Sequence, residues 1–328
     1  MWIGPSIHSS LSMSNNASGF PHYFLGSLKE KRINNFGLNF KYFISERNNE
    51  KTNYFHTSIT STLTYYSNPI ITFGFSRTHL SGGEKEINWS ISDASKLAFE
   101  PLFGKNKTAF NYNNSYEGEP IYWDPWDQLL IGYLDIVFPE SGTKIYLELG
   151  TDDSRANFID LTSHWDHAIG YIYGFQQYRL LGSPNLFAGF EIMSNKNTTN
   201  TLNPLFYRGD WNTPNFYDRD TYLYSSYGGR RWGSHSGSDS DDKYFFIGYT
   251  KDELSILSSY NIERRGITSR LFPETKNEII IRLMKRNNNF NYSLYLEKEK
   301  IKNYNFNPNR NIKESNVIGF GIYWRLQY

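Results

Sequence analysis

Apolar side chains occupy every second position in the stretch Val317-Ile318-Gly319-Phe320-Gly321-Ile322-Tyr323-Trp324-Arg325-Leu326-Gln327-Tyr328. Every even-numbered position is apolar or aromatic, whereas the odd-numbered positions include two glycines, an arginine and a glutamine. Because side chains alternate between the two faces of a β-strand, this pattern predicts a strand with one unbroken apolar face. Its length is about the 9–11 residues that a tilted strand needs to cross a bilayer. The stretch is therefore typical of a membrane-crossing strand, and a terminal strand in a soluble sandwich is the alternative.

The composition of the 328-residue chain favours the first interpretation. Its 34 basic and 33 acidic residues nearly balance, so no overall positive field would attract nucleic acid. Aromatic residues make up 18% of the chain although its mean hydropathy is −0.61. A barrel with a polar interior, polar loops and an outer aromatic band combines these two properties. The absence of cysteine excludes disulfides, thiolate metal sites and a cysteine nucleophile.

Thirteen segments of the chain show strand-like alternation, and the connections between them alternate between short and long. The segments cover, approximately, residues 20–28, 36–46, 54–66, 69–79, 129–139, 143–151, 168–180, 184–194, 243–250, 253–264, 277–286, 290–299 and 316–328. The longer connections are 47–53, 80–128, 152–167, 195–242, 265–276 and 300–315. Barrels of the bacterial outer membrane have this asymmetry, with short turns at the periplasmic end and long loops outside. We therefore predict an all-β fold, a transmembrane antiparallel up-and-down β-barrel with long extracellular loops and little helix.

Three further features bear on how the chain is organised. No segment approaches the roughly 20 apolar residues of a membrane helix, and the start of the chain lacks the pattern of a signal peptide. Bacterial barrels close with an even number of strands, whereas the predicted number is odd. We therefore expect residues 1–328 to form a single barrel domain that lacks its N-terminal part. Residues 220–227 have a strand-like composition, but a spanning strand there would invert every upstream connection, so we expect at most a hairpin inside 195–242.

Several short stretches follow one another along the chain in an order that is typical of one family. They are Trp2-Ile3-Gly4-Pro5 with NNASGFP at 15–21, DQLLIGYLD at 127–135, YLELG at 146–150 and GRRWGSHSGSDSDD at 229–242. Together they resemble the Wzi-type capsule assembly family of outer-membrane proteins. The last stretch is the most specific, although Ser234 stands where the family tends to have His and His235 follows one position later. The resemblance implies a barrel of about 18 strands, some helix at its periplasmic end and in its loops, and a lectin-like role in holding capsular polysaccharide.

A polysaccharide site needs aromatic faces and planar polar groups, which loops commonly supply. Trp123 and Trp126 end the first long connection, and Trp211 and Trp232 lie in the second. The alternative for Trp123 and Trp126 is an aromatic girdle at the membrane interface. For Trp211 and Trp232 the alternative is packing within the loop.

The arginines and acids of the second long connection are the remaining candidates. Arg230 and Arg231 have guanidinium groups that can bind an acidic sugar in bidentate fashion, or pair with nearby carboxylates. Asp239, Asp241 and Asp242 could offer oxygens to Ca²⁺, but they lack the ligand series of an EF-hand, which favours a solvated acidic cluster and no metal site. His235 lies among these residues and is a further polysaccharide-binding candidate.

We therefore predict a non-catalytic protein of the cell outer membrane that binds capsular or extracellular polysaccharide. Outer-membrane lipid would surround it, and we expect a monomer without cofactor, metal or nucleic-acid partner. A porin for small solutes has the same architecture and is the alternative, because fold alone does not fix function. An outer-membrane hydrolase is the third possibility, although the chain contains no G-x-S-x-G nucleophile elbow.

Overall fold

The computed structural model describes residues 2–16, 19–49, 52–82, 90–92, 95, 115–116, 119–120, 126–152, 169–196, 216–217, 226–227, 230–231, 233–287, 289–309 and 312–324. The strands within this part of the chain are β1 (Tyr23–Gly26), β2 (Lys31–Ile33), β3 (Phe36–Asn49), β4 (Thr52–Tyr65), β5 (Ile70–Gly82), β6 (Ser115–Tyr116), β7 (Glu119–Pro120), β8 (Trp126–Phe138), β9 (Thr143–Asp152), β10 (Ile169–Tyr178), β11 (Leu186–Ser194), β12 (Ser226–Tyr227), β13 (Arg230–Arg231), β14 (Ser240–Lys251), β15 (Leu254–Arg265), β16 (Glu274–Asn287), β17 (Phe290–Lys302) and β18 (Ile312–Trp324).

Fourteen of these strands form one antiparallel sheet in which chain order is also spatial order. The sheet runs β1-β3-β4-β5-β8-β9-β10-β11-β14-β15-β16-β17-β18, with β2 also paired to β3. Among the described strands no pairing joins β1 to β18, so the sheet is open. Helical structure in the described part is limited to residues 91, 92 and 95 and two one-turn 3₁₀ helices, Leu180–Gly182 and Tyr304–Phe306. The predicted all-β, up-and-down architecture with little helix is confirmed.

The connections also follow the predicted alternation of short turns at one end of the sheet and longer stretches at the other. β12 pairs only with β13, so the strand-like composition near residue 227 belongs to a small hairpin within the second long connection. One predicted connection is wrong. Residues 47–49 and 52–53 are not in a loop, because β3 and β4 continue pairing as far as Asn49 and Thr52. The side chains there are polar, so the apolar alternation stops before the backbone pairing does.

The two faces of the sheet differ sharply in chemistry. On the outer face of β18, Ile318 is 78% exposed and Phe320 is 70% exposed. Transfer of an Ile or Phe side chain from water to apolar surroundings is worth about 1.5–3 kcal/mol, so such a face favours apolar surroundings over water. On the inner face Tyr146 is 1% exposed and Glu148 is 0% exposed. The apolar side chains therefore point outward, away from a polar interior. No helix in the described part of the chain is long and apolar enough to cross a membrane.

Residues 2–16, here called the N-terminal segment, lie against the inner face of the sheet. Leu11 is fully buried in a cluster with Ile131, Tyr146, Ile172, Met193 and other apolar side chains. Room for Leu11 comes from the paired glycines Gly150 and Gly170, where an added Cβ would lie 3.1 Å from a Leu11 methyl carbon. A second cluster joins Ile3 and Met13 of the segment to Phe43 of β3. The segment thus contacts strands from β3 to β11, which means that the sheet curves around it.

Candidate functional site

Two buried carboxylates of the inner face hold the N-terminal segment by its backbone. Glu191 of β11 accepts hydrogen bonds from the amide N–H groups of Ile7 and Ser9, each at 2.7 Å, and one at 2.7 Å from the hydroxyl of Tyr146. Glu148 of β9 accepts from the Leu11 amide at 3.2 Å and also from Ser6. The segment is therefore anchored to the wall at its middle and is not merely packed against it.

Gly4 makes this anchoring possible. Its φ of +108° lies in a region that side-chain-bearing residues rarely adopt. A Cβ at this position would come within 2.1 Å of the Glu148 carboxylate oxygen Oε1. The next residue is also tied to the wall, since Lys144 donates a hydrogen bond to the Pro5 carbonyl at 3.0 Å.

The second long connection returns to the same segment. The Tyr217 hydroxyl donates to the Leu11 carbonyl at 2.6 Å and accepts from the Ser234 amide at 3.2 Å. The Ser14 hydroxyl donates to the Gly233 carbonyl at 2.8 Å. Residues 233–239, here called the serine-histidine loop, are therefore folded inward over the N-terminal segment.

Asp239 closes the serine-histidine loop onto the neighbouring connection between β15 and β16. Its carboxylate accepts hydrogen bonds from the amide and hydroxyl groups of both Thr268 and Ser269, at 2.7–3.2 Å. Burial alone would raise the pKa of Asp239, but these donors stabilise the ionised form more strongly and lower that pKa below its usual value. The Asp239 carboxylate therefore fastens the serine-histidine loop to the connection between β15 and β16.

The next two aspartates point to different partners because they are neighbours on a strand. Asp241 forms a bidentate ion pair with Arg264, in which Nε lies 2.8 Å from Oδ1 and a second nitrogen bonds Oδ2. Asp242 is 1% exposed and faces the interior. The three aspartates that the sequence groups as one acidic cluster thus occupy three separate environments.

Asp242 lies between two imidazoles that come from distant parts of the chain. Its Oδ2 atom is 2.9 Å from His235 Nε2 and 3.3 Å from His8 Nε2. The two rings meet edge to face with centroids 4.7 Å apart, and His8 stacks on Tyr244 of β14 at 4.0 Å. This group, His8, His235 and Asp242, is called the histidine-aspartate cluster below.

The charges around the histidine-aspartate cluster favour a cation within it. Asp242 pairs directly across the strands with Glu263, whose Oε2 atom lies 3.6 Å from His235 Nε2. Burial alone would lower the pKa of His235, but the close contact with Asp242 and the charge of Glu263 outweigh it and raise that pKa above its usual value. Lys276 also contacts Glu263, with its Nζ atom 3.1 Å from Oε2.

Comparison with known proteins places this fold. No protein-family model matches the sequence, and no curated protein sequence matches it. Among solved structures, the chain is similar to Wzi of Escherichia coli, described as an outer membrane protein involved in group 1 capsule assembly and as a carbohydrate-binding β-barrel. The TM-score is 0.64 at 12% sequence identity, and the match covers 99% of this chain but only 66% of Wzi, just under two thirds of its length.

The fold is that of an outer-membrane β-barrel. Salmonella typhi OmpF also matches over 84% of this chain and 86% of its own, at 10% identity and a TM-score of 0.29, which is too low to carry an argument. In barrel terms, the inner face is the wall of the lumen and the N-terminal segment lies within that lumen. The serine-histidine loop comes from the end that carries the long connections.

The residues predicted to bind polysaccharide are only partly described. Trp123, Trp211 and Trp232 lie outside the described residues. The backbone of Trp126 begins β8, and the backbones of Arg230 and Arg231 form β13. His235 and Asp242 are brought together, whereas Asp239 and Asp241 have other partners. Their role toward a polysaccharide stays a prediction.

Sequence analysis missed the residues that organise the lumen. Glu148 and Glu191 carry a recognisable signal, because each is an acid on the polar side of an otherwise apolar alternating segment. His8 carries none, since a single histidine near the start of the chain does not indicate its contact with β14.

Proposed function

We propose that this protein is a plugged barrel of the cell outer membrane that binds capsular or extracellular polysaccharide through the connections 80–128 and 195–242. It does so as a monomer surrounded by outer-membrane lipid, without catalysis and without nucleic acid. The proposal rests on two features seen together. The N-terminal segment occupies the lumen, and the long connections lie at one end of the barrel only. A protein of this shape has its variable surface on the loops and not along a pore.

Three observations support binding over transport. The N-terminal segment is hydrogen-bonded to the wall through Glu148 of β9 and Glu191 of β11, two strands separated by β10, and the chain itself therefore occupies part of the lumen. The serine-histidine loop adds a second layer at the end of the long connections. Wzi, which this barrel resembles in fold, is a carbohydrate-binding barrel. A diffusion porin instead needs a continuous aqueous path, so it is the less favoured alternative.

Retention of purified capsular polysaccharide on immobilised protein tests the proposal. We expect Trp211→Ala and Trp232→Ala to weaken retention, because sugar rings stack on aromatic faces and their loss removes contact area. The matched control is Trp324→Ala, which removes an exposed outer-face tryptophan at the end of the short turns. Each variant is first checked for the heat-dependent gel mobility of a folded barrel. Equal retention by wild type and both loop variants would remove these tryptophans from the site, and no retention by wild type would refute the proposal.

A further inference from the structure

The histidine-aspartate cluster joins three pieces of chain at one point inside the barrel. His8 belongs to the N-terminal segment, His235 to the serine-histidine loop and Asp242 to strand β14 of the wall. Imidazole nitrogens and a carboxylate oxygen are the ligand types that Zn²⁺ and related ions prefer. One donor atom from each of the three residues lies within 4.8 Å of the other two.

The distances from Asp242 to the two imidazoles are close to those between ligand atoms of a tetrahedral metal site. Bonds of about 2.0–2.2 Å from Zn²⁺ to nitrogen or oxygen place two ligand atoms about 3.4 Å apart. The Asp242 Oδ2 atom lies 3.3 Å from His8 Nε2 and 2.9 Å from His235 Nε2. Small side-chain rotations would therefore bring the three donors around one ion. Glu263 Oε2, 3.6 Å from His235 Nε2, lies beside the fourth position.

The polar groups of the cluster are not all satisfied by one another. Both carboxylate oxygens of Asp242 are buried and lack a hydrogen bond of proper geometry, although two imidazoles are close. His8 Nε2 faces Asp242 at 3.3 Å and the Asn261 amide nitrogen at 2.8 Å. A single ring nitrogen cannot donate to the first and accept from the second at once. A buried carboxylate in this condition costs free energy unless a cation neutralises it.

The charges around Asp242 also bear on whether the cluster binds a cation. Asp242 and Glu263 lie directly opposite each other on neighbouring strands, an arrangement that is destabilising for two like charges. Lys276, directly opposite Glu263 on the next strand, offsets one of these charges. Arg265 also contacts Glu263, with its Nε atom 3.6 Å from Oε1. Asp242 is in contact with the two imidazoles, so a metal ion bound there would replace their protons as its counter-charge.

We propose that His8, His235 and Asp242 bind a divalent transition-metal ion of the Zn²⁺ class. The ion fastens the N-terminal segment and the serine-histidine loop to the barrel wall, and its fourth position is filled by water or by Glu263. The side chains of His8 and His235 are 20% and 21% exposed, which leaves the ion a route of entry past their edges.

Zinc binding to the purified, folded barrel tests this site directly. After treatment with a chelator, the wild-type protein should take up one Zn²⁺ per chain, as measured by isothermal titration or competition with a fluorescent chelator. His8→Ala, His235→Ala and Asp242→Asn should each weaken binding by more than about tenfold. His22→Ala is the matched control, because His22 is exposed on the chain before β1, where its ring contacts Phe20 and Phe43.

A second control separates a specific site from attraction to acids in general. Glu278, Glu297 and Glu299 also form a compact group, but it contains carboxylates only and no imidazole. Glu299→Gln should therefore leave zinc affinity unchanged. Co²⁺ substitution provides an independent signal, since a tetrahedral site gives intense visible absorption that the His8 and His235 variants should lose.

Each outcome either supports or overturns the zinc site, provided that each variant keeps the gel mobility of a folded barrel. Loss of binding in the three ligand variants, with both controls like wild type, supports the site. Absence of stoichiometric zinc binding by wild type overturns it. So does binding that only Glu299→Gln weakens, or that none of the ligand variants weakens. If one ligand variant fails to fold, the other two still decide the question.

Discussion

Replacement of Glu191 by alanine should release the N-terminal segment from the barrel wall. The carboxylate accepts hydrogen bonds from the amides of Ile7 and Ser9 at 2.7 Å, from that of His8 at 3.3 Å and from the Tyr146 hydroxyl at 2.7 Å. The variant leaves all four donors without this acceptor. A buried donor that loses its partner costs about 1–3 kcal/mol.

The size of the effect follows from how buried each donor is. The Ser9 amide is buried and incurs the full cost, whereas those of Ile7 and His8 are part-buried and can recover part of theirs from water. The sum is about 3–5 kcal/mol in favour of the released state. Since 1.4 kcal/mol corresponds to about a factor of ten, the released population should rise by about a hundredfold to a few thousandfold.

Thiol labelling measures this population, because the natural chain contains no cysteine. Ser9→Cys is a suitable reporter: the residue is 1% exposed and its hydroxyl has no hydrogen bond to the described residues. We expect a thiol reagent to label Ser9→Cys about a hundredfold or more faster when Glu191→Ala is also present, since labelling requires local opening.

The control for this experiment is Glu314→Ala, combined with the same reporter. Glu314 pairs with Lys300 at the surface, and exposed ion pairs of this kind contribute about 0–1 kcal/mol. Its removal should leave the labelling rate unchanged. Equal labelling rates with and without Glu191→Ala, in barrels that remain folded, would show that the hydrogen bonds from the three amides do not hold the segment and would refute the reasoning.

Three further outcomes are expected. Gly4→Ala forces a Cβ against the Glu148 carboxylate at a φ of +108°, so it should lower the free energy of unfolding by about 1–3 kcal/mol in denaturant titration and speed Ser9→Cys labelling; an unchanged midpoint would contradict this. Because the folded-state pKa of Asp239 is lowered, its contribution to stability is present above the ordinary pKa of about 3.9 and is lost as pH falls through the folded value. Proteolysis between β15 and β16 should therefore increase at acid pH in wild type, whereas Asp239→Asn should be cleaved readily at neutral pH and change little with acid; equal acid sensitivity of both would argue against this role. In planar bilayers the wild-type barrel should carry no steady ion current, and a large constant conductance would favour the porin alternative.

The sequence by itself determined the fold class and the order of the sheet. Alternation such as that at 317–324 is a local property, and it appears in the sequence wherever a strand has one face in an apolar surrounding and the other in a polar one. The same logic placed the strand-like residues near 227 outside the barrel wall. It failed at 47–49 and 52–53, where β3 and β4 continue pairing although these residues are polar, because backbone hydrogen bonds do not depend on an apolar face.

Only the tertiary structure decided what lies inside the barrel. His8 meets His235 and Asp242, and Glu191 meets Ser9, through contacts that join residues far apart in the chain. Such contacts depend on how the sheet curves and on which glycines leave room for the N-terminal segment, and neither is a periodic property of the sequence. The aspartates at 239, 241 and 242 are close in sequence but lie in separate environments. Asp241 and Asp242 are neighbours on a strand, so their side chains point to opposite faces, and Asp239 lies in the flanking loop.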